Sequence, residues 1–437
     1  MEQHGNNPQK QVIAILPARY ESTRLPGKML LPIAGKPLIL HTLKRAQAAT
    51  KVNRVIVATD DKRIWDAVTE VGGEVVMTSA DHQSGSDRIA EVANDLSDGS
   101  IIVNVQGDEP LISPETIDAA VGALIGDAGA DMSTTCEPLT DLRGELLNFN
   151  VVKVVRRDDG RALYFTRSPV PFPRDASERW GGDPNTALLN EPELFKNYRK
   201  HTGLYVYRRE FLLKFASWPQ TWLESWEKLE QLRALEHDAK IRVVDAVGSS
   251  IGVDTEEDYY RVCDLIEAGI DIRPAKQEDL PQVAAVHVES WQHSFASIVP
   301  DEFLRNMTVE KRLEAFSERE CDGPYTMLVA EHPNEGIIGF ADFGKPKLEG
   351  NFDRQIYSMY LLPKFQRRGF GTRLFKRCVR RMLRENVRTL CLDSLQVSPY
   401  RLFYEKIGGR VIGTDVHKLG NAEFPTVIYG WGDITQI

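Results

Sequence analysis

The chain has 437 residues, of which 42% are hydrophobic and 27% charged, and its formal net charge is -9. One hydrophobic core rarely grows to this length, so we expect two or three domains. The acidic balance argues against wholesale binding of nucleic acid, although local basic loops can still hold phosphates. The N-terminus, MEQHGNNPQK, is polar, and no apolar run reaches the length of a membrane span. We therefore expect neither a secreted nor a membrane-spanning protein.

The cysteines are far apart and show no CxxC pairing with histidines: Cys136, Cys263, Cys321, Cys378 and Cys391. An odd number without such spacing indicates reduced thiols and a cytoplasmic protein. Cys378 shares one face of a predicted helix with Leu374, Phe375, Val379 and Met382. We therefore expect Cys378 to be a core residue and not a nucleophile.

From residue 11 to about 140, short β-branched segments alternate with helical patterns. The predicted strands are Val12 to Leu16, Val55 to Ala58, Glu74 to Thr78 and Ile101 to Val105. Apolar residues at helical spacing lie between them: Ile39, Leu40, Leu43 and Ala46, then Ile89, Val92, Ala93 and Leu96. This alternation favours a mostly parallel sheet with helices on both faces, whose ligands bind at the carboxyl ends of the strands.

A basic loop, PARYESTRLPGK, follows the first predicted strand and contains Arg19, Arg24, Gly27 and Lys28. Backbone amides of such a loop can bind phosphate oxygens, and three cations can offset the charge that develops in phosphoryl or nucleotidyl transfer. The loop therefore predicts a triphosphate site. A solvated basic loop at a sheet edge is the alternative interpretation.

After residue 140 the pattern becomes antiparallel. A hairpin is predicted from Val151 to Arg156 and Arg161 to Thr166, followed by a strand from Leu204 to Tyr207 and a helix from Leu223 to His237. Glu224 and Lys228 stand four residues apart on that helix, which is typical of an exposed ion pair.

Blocks along this half, in the same order, resemble the sugar-acid cytidylyltransferases, most closely their 3-deoxy-manno-octulosonate branch. Besides the basic loop they are VIVATDD (Val55 to Asp61), DHQSGSDR (Asp81 to Arg88), VNVQGDEP (Val103 to Pro110), FNVVKVV (Phe149 to Val155), ALYFTRSPVP (Ala162 to Pro171), KHTGLYVYR (Lys200 to Arg208), LESWEKLEQLR (Leu223 to Arg233) and GVDTEED (Gly252 to Asp258). The resemblance implies an α/β, Rossmann-like nucleotidyltransferase with a mixed sheet and helices on both faces, over residues 10–268. It also implies dimerisation through the region after residue 140.

The implied reaction transfers CMP from CTP to a 3-deoxy-octulosonic acid, Kdo or an 8-amino variant, for lipopolysaccharide biosynthesis, with release of pyrophosphate. By resemblance, Asp108 and Asp254 bind Mg2+, while Lys28 and Arg19 hold the phosphates and Arg24 closes the loop over them. The implied sugar-acid residues are Gln106, Arg167, His201, Glu227, Glu230 and Gln231.

Several of these positions have other interpretations. A lone aspartate is more often a strand-end or N-cap residue, and a lone histidine before a strand, such as His201, is more often structural. Arg167 offers the planar fork that suits a carboxylate, whereas His201 offers a donor or a base. A backbone carbonyl can distinguish cytosine from uracil, so the choice of CTP depends on the family match. Ser225, where a histidine is expected, and SPVPFPRD (Ser168 to Asp175) depart from the family near the sugar.

A second domain, residues 271–437, is predicted beyond a boundary near residues 267–273. IRPAKQEDLPQVAAVHVESW (Ile272 to Trp291), then strands at Tyr325 to Glu331, Gly336 to Phe343 and Gln355 to Leu362, resemble a Gcn5-related N-acetyltransferase (GNAT), an α/β fold. LLPKFQRRGFGTRL (Leu361 to Leu374) fits the family's Q/R-x-x-G-x-G loop, whose glycines and helix N-terminus bind the pyrophosphate of coenzyme A. The implied acetyl-CoA contacts are Leu361, Gln366, Arg367, Arg368, Gly369, Phe370, Gly371 and Thr372.

Tyr404, in SPYRLFYEKIGGRVIG, matches the tyrosine that protonates the departing thiolate in many GNAT enzymes, and a packing tyrosine is the alternative. Ser398 stands where asparagine is common. No general base can be assigned, because Asp342 and Tyr357 are plausible by position alone. The acceptor amine is unknown, and an amino group on the sugar acid or its CMP conjugate is one hypothesis. Two alternatives are a non-catalytic, regulatory acetyl-CoA module, and nucleotidyl transfer with UTP or another sugar acid.

Overall fold

In the computed structural model the chain forms two compact units, Met1–Val262 and Cys263–Ile437, and the division falls within one helix. The structure describes residues 11–22, 24–82, 84–139, 141–296, 298–319, 325–348, 350–420 and 422–437. The N-terminal segment MEQHGNNPQK and Cys321, both subjects of the predictions above, lie outside the described residues. We describe each unit by itself.

The N-terminal unit is built on a mixed sheet. Its strands are β1 (Val12–Ala18), β2 (Pro32–Ile33), β3 (Lys36–Pro37), β4 (Arg54–Thr59), β5 (Glu74–Met77), β6 (Ile101–Asn104), β7 (Met132–Pro138), β8 (Lys153–Arg156), β9 (Ala162–Thr166), β10 (Arg199–Arg208) and β11 (Ile241–Asp245). Among the described strands, nine form one sheet with the path β11-β7-β10-β6-β1-β4-β5, and β8 and β9 branch from β10. Strands β6, β1, β4 and β5 are parallel, whereas β10 runs antiparallel to both of its neighbours.

The helices of the described chain begin with α1 (Leu38–Gln47), α2 (Lys62–Glu70), α3 (Gly85–Asn94), α4 (Pro114–Gly126), α5 (Arg174–Arg179), α6 (Pro184–Asn190), α7 (Arg209–Ser217), α8 (Trp222–Glu227), α9 (Gln231–Glu236) and α10 (Glu256–Ala268). Local chemistry sets where they start. Ser84 and Asp87 form a capping box at α3, and Ser113 caps α4 ahead of Pro114. The predicted parallel strands alternating with helices are confirmed.

The predicted single helix from Leu223 to His237 is wrong. Lys228 adopts the left-handed conformation, with φ 55° and ψ 48°, which ends α8 before α9 begins. Glu224 is only 3% exposed, and its carboxylate accepts two hydrogen bonds from Arg233, at 2.9 Å from Nε and 2.7 Å from a terminal nitrogen. The predicted exposed pair with Lys228 is therefore also wrong, because this bidentate buried partner holds the glutamate.

The C-terminal unit contains β12 (Asp271–Pro274), β13 (Thr326–His332), β14 (Gly336–Gly344), β15 (Arg354–Leu361), β16 (Leu390–Leu395), β17 (Arg410–Leu419) and β18 (Ala422–Trp431). Its helices are α11 (Leu280–Ser294), α12 (Asp301–Asn306), α13 (Val309–Arg319), α14 (Phe370–Arg384) and α15 (Leu402–Lys406). The described strands form a sheet of order β12-β13-β14-β15-β16-β18-β17.

Strands β15 and β16 diverge in the middle of this sheet. They are parallel, yet they pair only at Arg354 with Leu390 and at Gln355 with Cys391. Beyond these two pairs the strands separate, so the remaining backbone groups on their facing edges are not joined to each other by ladder hydrogen bonds. A wedge therefore opens between the two halves of the sheet.

Apolar burial agrees with the helical patterns read from the sequence. Cys378 is fully buried in the core of the C-terminal unit together with Leu374, Phe375, Val379 and Met382, as predicted. The four cysteines of the described residues, Cys136, Cys263, Cys378 and Cys391, are all buried. Within the described part of the chain, no helix has both the length and the apolar character needed to cross a bilayer.

Candidate functional site

The two aspartates predicted to bind metal meet at one lysine in the N-terminal unit. The Lys28 ammonium lies between Asp108 and Asp254, donating to a carboxylate oxygen of Asp108, to Asp254 Oδ1 at 3.1 Å and to the Val253 carbonyl at 3.0 Å. A backbone hydrogen bond from Val253 to the Asp108 carbonyl, 2.9 Å, joins the two segments directly. Burial acts to lower the pKa of Lys28, but the two carboxylates outweigh it and raise that pKa. Lys28 is therefore a fixed cation.

A cavity of about 350 Å³ opens beside this cluster, at the carboxyl end of β1. Seven of the predicted residues line it: Arg19, Arg24, Lys28, Gln106, Asp108, Glu230 and Asp254. Arg24 reaches Asp254 at 3.1 Å, and both side chains are largely solvent-accessible. The basic loop and both aspartates thus face one space, as the triphosphate prediction requires.

Three residues at the cavity or beside it had no assigned role in the sequence-based predictions. Arg88 lines the cavity and is held by Asp60 at 2.6 Å, and Ser84 lies there at the N-terminus of α3, where backbone amides favour anions. Both belong to the block DHQSGSDR, which was the available signal. Burial, and then the charge of Asp108, raise the pKa of Glu109 to about 7. The signal for Glu109 was its place beside Asp108 in VNVQGDEP.

The carboxylates at this cavity suit Mg2+, which needs only one or two protein ligands, better than a metal ion that is coordinated entirely by protein side chains. Among the described residues, no group of three or more His, Cys, Asp or Glu side chains is placed to hold a metal ion. Mg2+ ordinarily takes one or two carboxylates and completes its shell with water and substrate phosphates. Asp108 and Asp254 already converge on a cation, the Lys28 ammonium, so their charges can reach a common point.

The remaining sugar-acid candidates do not line the cavity. The Arg167 guanidinium donates to the carbonyls of Glu227 (2.7 Å) and Phe149 (2.9 Å), while the Glu227 carboxylate accepts from Thr166 Oγ1 at 2.6 Å and from the Arg167 amide at 2.9 Å. Gln231 is buried. These contacts tie β9 to α8, so Arg167 and Glu227 are engaged with the protein itself.

His201 is held as a neutral residue in β10. Its Nε2 lies 2.9 Å from Thr134 Oγ1, and its ring is in edge contact with Phe165. Burial lowers the pKa of His201 to about 3. An imidazole with so low a pKa is a poor proton acceptor at neutral pH, so of the two predicted roles, donor or base, this environment favours the donor.

We expect this neutral histidine to make the unit sensitive to acid. In the unfolded chain His201 takes up a proton below its ordinary pKa of about 6.5, whereas in the folded chain it does so only near 3. Its contribution to stability is therefore complete above pH 6.5 and declines as the pH falls toward 3. Urea unfolding should show that wild type loses more free energy of unfolding than His201→Gln as the pH falls from 6.5 toward 3. A constant difference in free energy of unfolding between the two proteins over this range would contradict the expectation.

A second cavity, about 730 Å³ in volume, lies in the C-terminal unit in the wedge between β15 and β16. Of the predicted acetyl-CoA residues, Leu361, Gln366, Arg367, Gly369, Gly371 and Thr372 line it, and Tyr404 does as well. Gly369 has φ 86°, a conformation that favours glycine, and directly precedes α14. The loop therefore presents the N-terminus of α14 to the cavity.

Two predicted cofactor residues do not line this cavity. Phe370 is 5% exposed and belongs to the core, and the Arg368 guanidinium lies over the rings of Phe365 and Phe370, 5.6 Å and 5.3 Å from their centroids. Phe370 is therefore a packing residue, whereas Arg368 is exposed and covers the two rings from outside. Of the motif Q-x-x-G-x-G, the members that line the cavity are Gln366, Arg367, Gly369 and Gly371.

Tyr404 lies where α15 borders the cavity, and its hydroxyl retains its proton at neutral pH. Burial, then the neighbouring Tyr360 and Asp393, raise the pKa of Tyr404 well above its usual value of about 10. A phenol that stays protonated is available to supply a proton to a thiolate as it departs.

Family comparisons separate the two units in the same way. The cytidylyltransferase family model matches residues 13–241, and the acetyltransferase (GNAT) domain model matches residues 323–408. The 3-deoxy-manno-octulosonate cytidylyltransferase of Trichlorobacter lovleyi is 50% identical over 259 residues, 59% of this chain and 100% of the relative. The enzyme of that name from Geobacter sulfurreducens is 49% identical over 256 residues, 59% of this chain and 99% of the relative.

A solved structure is similar to the same part of the chain. It is CMP:2-keto-3-deoxy-manno-octonic acid synthetase in complex with CTP, 36% identical, with a TM-score of 0.53, and the match covers 60% of this chain and 100% of that one. The matched residues include the basic loop, Asp108 and β1, around which the first cavity is built. The chain belongs to the cytidylyltransferase family, and its C-terminal unit carries an acetyltransferase domain of the GNAT family.

Proposed function

We propose that residues 10–268 transfer CMP from CTP to a 3-deoxy-octulosonic acid and release pyrophosphate. The observation that carries this proposal is the joining of Asp108 and Asp254 by Lys28 at a cavity that Arg19 and Arg24 also line. Carboxylates beside cations match a triphosphate bound with a divalent ion. The identity to 3-deoxy-manno-octulosonate cytidylyltransferases, 50% over 259 residues, supports this choice of reaction.

Each residue has a role that its position allows. Asp108 and Asp254 would hold Mg2+, which when bound would offset the negative charge of the phosphates. Lys28, buried and doubly paired, keeps the two carboxylates together against their mutual repulsion. Arg19 and Arg24 are exposed at the mouth of the cavity and are available to the phosphate chain and the departing pyrophosphate.

The sugar acid is proposed to lie on the side of the cavity lined by Gln106 and Glu230. Ser86 donates to the Glu230 carboxylate at 2.6 Å, which fixes its orientation, and burial raises the pKa of Glu230. A fixed carboxylate selects hydroxyl or ammonium donors on the sugar. This chemistry admits both Kdo and its 8-amino variant, and Ser225, which replaces the expected histidine, is half-buried in α8.

Pyrophosphate release decides the proposal. The purified protein should be incubated with Mg2+, each of the four nucleoside triphosphates in turn, and Kdo, 8-amino-3,8-dideoxy-manno-octulosonate or N-acetylneuraminate. We expect release only with CTP and an octulosonic acid. Release with UTP, or with N-acetylneuraminate in preference to both octulosonates, would establish the alternative pairing of nucleotide and sugar acid.

For residues 271–437 we propose acetyl transfer from acetyl-CoA to an amine. The wedge between β15 and β16, the loop through Gly369 and the protonated Tyr404 at one cavity support a bound thioester and a proton donor for its thiol. The amine of an 8-amino sugar acid is the acceptor we propose, because the other unit is proposed to use that class of sugar. A regulatory acetyl-CoA module without turnover is the alternative.

Replacing Tyr404 with phenylalanine should separate binding from turnover. The ring still packs beside Tyr429 and Phe403, but the proton donor is lost, so we expect kcat for acetyl transfer to fall by about 10²-fold. Acetyl-CoA affinity, measured by titration calorimetry, should stay within about twofold of wild type. The lost hydroxyl is proposed to protonate the leaving thiol and not to bind acetyl-CoA. Unchanged kcat would make Tyr404 a packing residue.

We also propose a cytoplasmic homodimer that serves lipopolysaccharide biosynthesis. Large apolar side chains are exposed after residue 140, including Phe149 (68%), Phe172 (62%), Trp222 (69%) and Trp226 (78%). The rings of Trp222 and Trp226 stack with their centroids 6.3 Å apart. Exposed aromatics of this kind mark interaction surfaces. Light scattering after size exclusion should give twice the chain mass.

A further inference from the structure

Two chemically different groups of residues line the cavity of the C-terminal unit. One group is the loop and helix start that include Gln366, Gly369 and Thr372, which suit a phosphate chain. The other is an aromatic cluster in which the Trp291 ring centroid lies 4.6 Å from that of Phe295 and 6.0 Å from that of Phe303. The diverging strands β15 and β16 supply walls of the same cavity, so a reacting thioester and an acceptor can meet there.

Asp393 occupies the wall supplied by β16. Of the described residues that line this cavity, it alone carries a carboxylate, whereas the lining contains several basic side chains: His287, Arg312, Arg367, Lys406 and His417. The arginines and the lysine attract anions. Among the described lining residues, Asp393 is therefore the one whose charge can attract a cationic group of the substrate.

The Asp393 carboxylate is held from the neighbouring strand β15, where Gln355 Nε2 donates to Asp393 Oδ1 at 3.3 Å. Asp393 lines the same cavity as Tyr360 and Tyr404, and its charge contributes to raising the pKa of both tyrosines. Burial is the main cause that raises the pKa of Asp393 itself, and His417 opposes it. A partly desolvated carboxylate is a stronger proton acceptor than one in water.

The two positions considered from the sequence are less suitable. Asp342 is fully buried, accepts a hydrogen bond from the Tyr325 hydroxyl at 2.9 Å and does not line the cavity. Tyr357 lines the cavity, but its hydroxyl donates to the carbonyl of Lys345. Neither group is placed to take a proton from a molecule in the cavity.

We propose that Asp393 binds the ammonium group of the acceptor and takes its proton, so that the acceptor is an amine protonated at neutral pH. This inference rests on the proposed acetyl transfer in the same cavity. The carboxylate pairs with the ammonium as the acceptor enters, which also orients its nitrogen toward the wedge between β15 and β16.

The step balances in protons and electron pairs. The ammonium gives one proton to Asp393, and the freed lone pair forms a C–N bond to the thioester carbonyl carbon. As the C–S bond breaks, sulfur takes its electron pair and the Tyr404 proton, and the nitrogen's second excess proton restores Tyr404. The products are the N-acetylated amine and free coenzyme A, and Asp393 returns its proton to solvent.

The test uses the full-length chain and Asp393→Asn. Thiol release from acetyl-CoA is measured with 8-amino-3,8-dideoxy-manno-octulosonate, glucosamine, lysine and spermidine as amines. We expect kcat/KM for the amine that wild type uses to fall by about 10²-fold or more in the variant, with acetyl-CoA affinity within about twofold of wild type. Asp393→Glu, which keeps the carboxylate, should recover part of the loss.

Asp433→Asn is the matched control, because Asp433 is an exposed aspartate beyond β18 that does not line the cavity, and asparagine can keep its cap on the Thr435 amide. It should behave as wild type. Turnover by Asp393→Asn within about threefold of wild type would overturn the role of Asp393 while leaving acetyl transfer in place. Binding of acetyl-CoA by wild type with no turnover of any of the four amines would overturn both the inference and the proposed activity, in favour of the regulatory alternative.

Discussion

Asp108→Asn and Asp254→Asn should each lower CMP transfer by about 10³-fold or more. Both carboxylates converge on the Lys28 ammonium at the cavity that the basic loop lines. An amide keeps the shape of the side chain but removes the negative charge that a divalent ion requires. Steady-state pyrophosphate release with CTP, Kdo and a range of Mg2+ concentrations measures the loss.

The same experiment can separate a chemical role from a structural one. In either variant Lys28 keeps one ionised aspartate and the Val253 carbonyl, so the fold should survive, and the unfolding midpoint of the unit should move little. Asp66→Asn removes an aspartate from an exposed pair with Lys62 and should leave activity unchanged. Wild-type turnover by Asp254→Asn would contradict the proposal that this residue holds the metal.

Glu224→Ala should destabilise the N-terminal unit by about 3–5 kcal/mol. Glu224 and Arg233 are 3% and 9% exposed at their side chains, and the pair is bidentate. Truncation leaves a buried guanidinium whose remaining partners are the carbonyls of Phe215 and Trp218. Urea unfolding followed by tryptophan fluorescence should show the midpoint of this unit falling sharply.

Glu178→Ala is the matched control for this loss. Glu178 also pairs with an arginine, Arg174, but both side chains are mostly exposed, 64% and 79%, so its loss should cost at most about 0.5 kcal/mol. A Glu224→Ala protein as stable as the control would mean that Arg233 finds another partner or reaches water. The comparison therefore measures what burial adds to an otherwise similar ion pair.

The sequence contained most of the information about the proposed nucleotide site, for a physical reason. Parallel strands end on one edge, so a loop after β1 and an aspartate after β6 must come close once the alternating pattern is recognised. Asp254 is different: its place follows from the backbone hydrogen bond between Val253 and Asp108, which no periodicity shows. Only the family resemblance brought it into the predicted site.

Predictions that depended on side-chain environment were less successful. The pattern in Leu223 to His237 is helical throughout, and the break comes from the left-handed backbone conformation of Lys228, which the pattern does not reveal. The neutrality of His201 depends on residues distant in the chain, Thr134 and Phe165. The burial of Glu224 depends on Arg233, which only the break between α8 and α9 brings to it. Asp393 was not predicted, because it lies outside the recognised motifs and becomes distinctive only when the cavity lining is known.

The Lys28 contacts also constrain the order in which the N-terminal unit can fold. The ammonium meets Asp108 across 80 residues of chain and Asp254 across 226, so the anionic half of the cluster is incomplete until the last strand and the segment after it have been synthesised. Contacts of such long range form late, because the intervening chain must first be ordered. A nascent chain on the ribosome would thus carry the cationic loop long before Asp108 and Asp254 are both in place beside it. The ability of this unit to bind nucleotide would then appear only at the end of its folding.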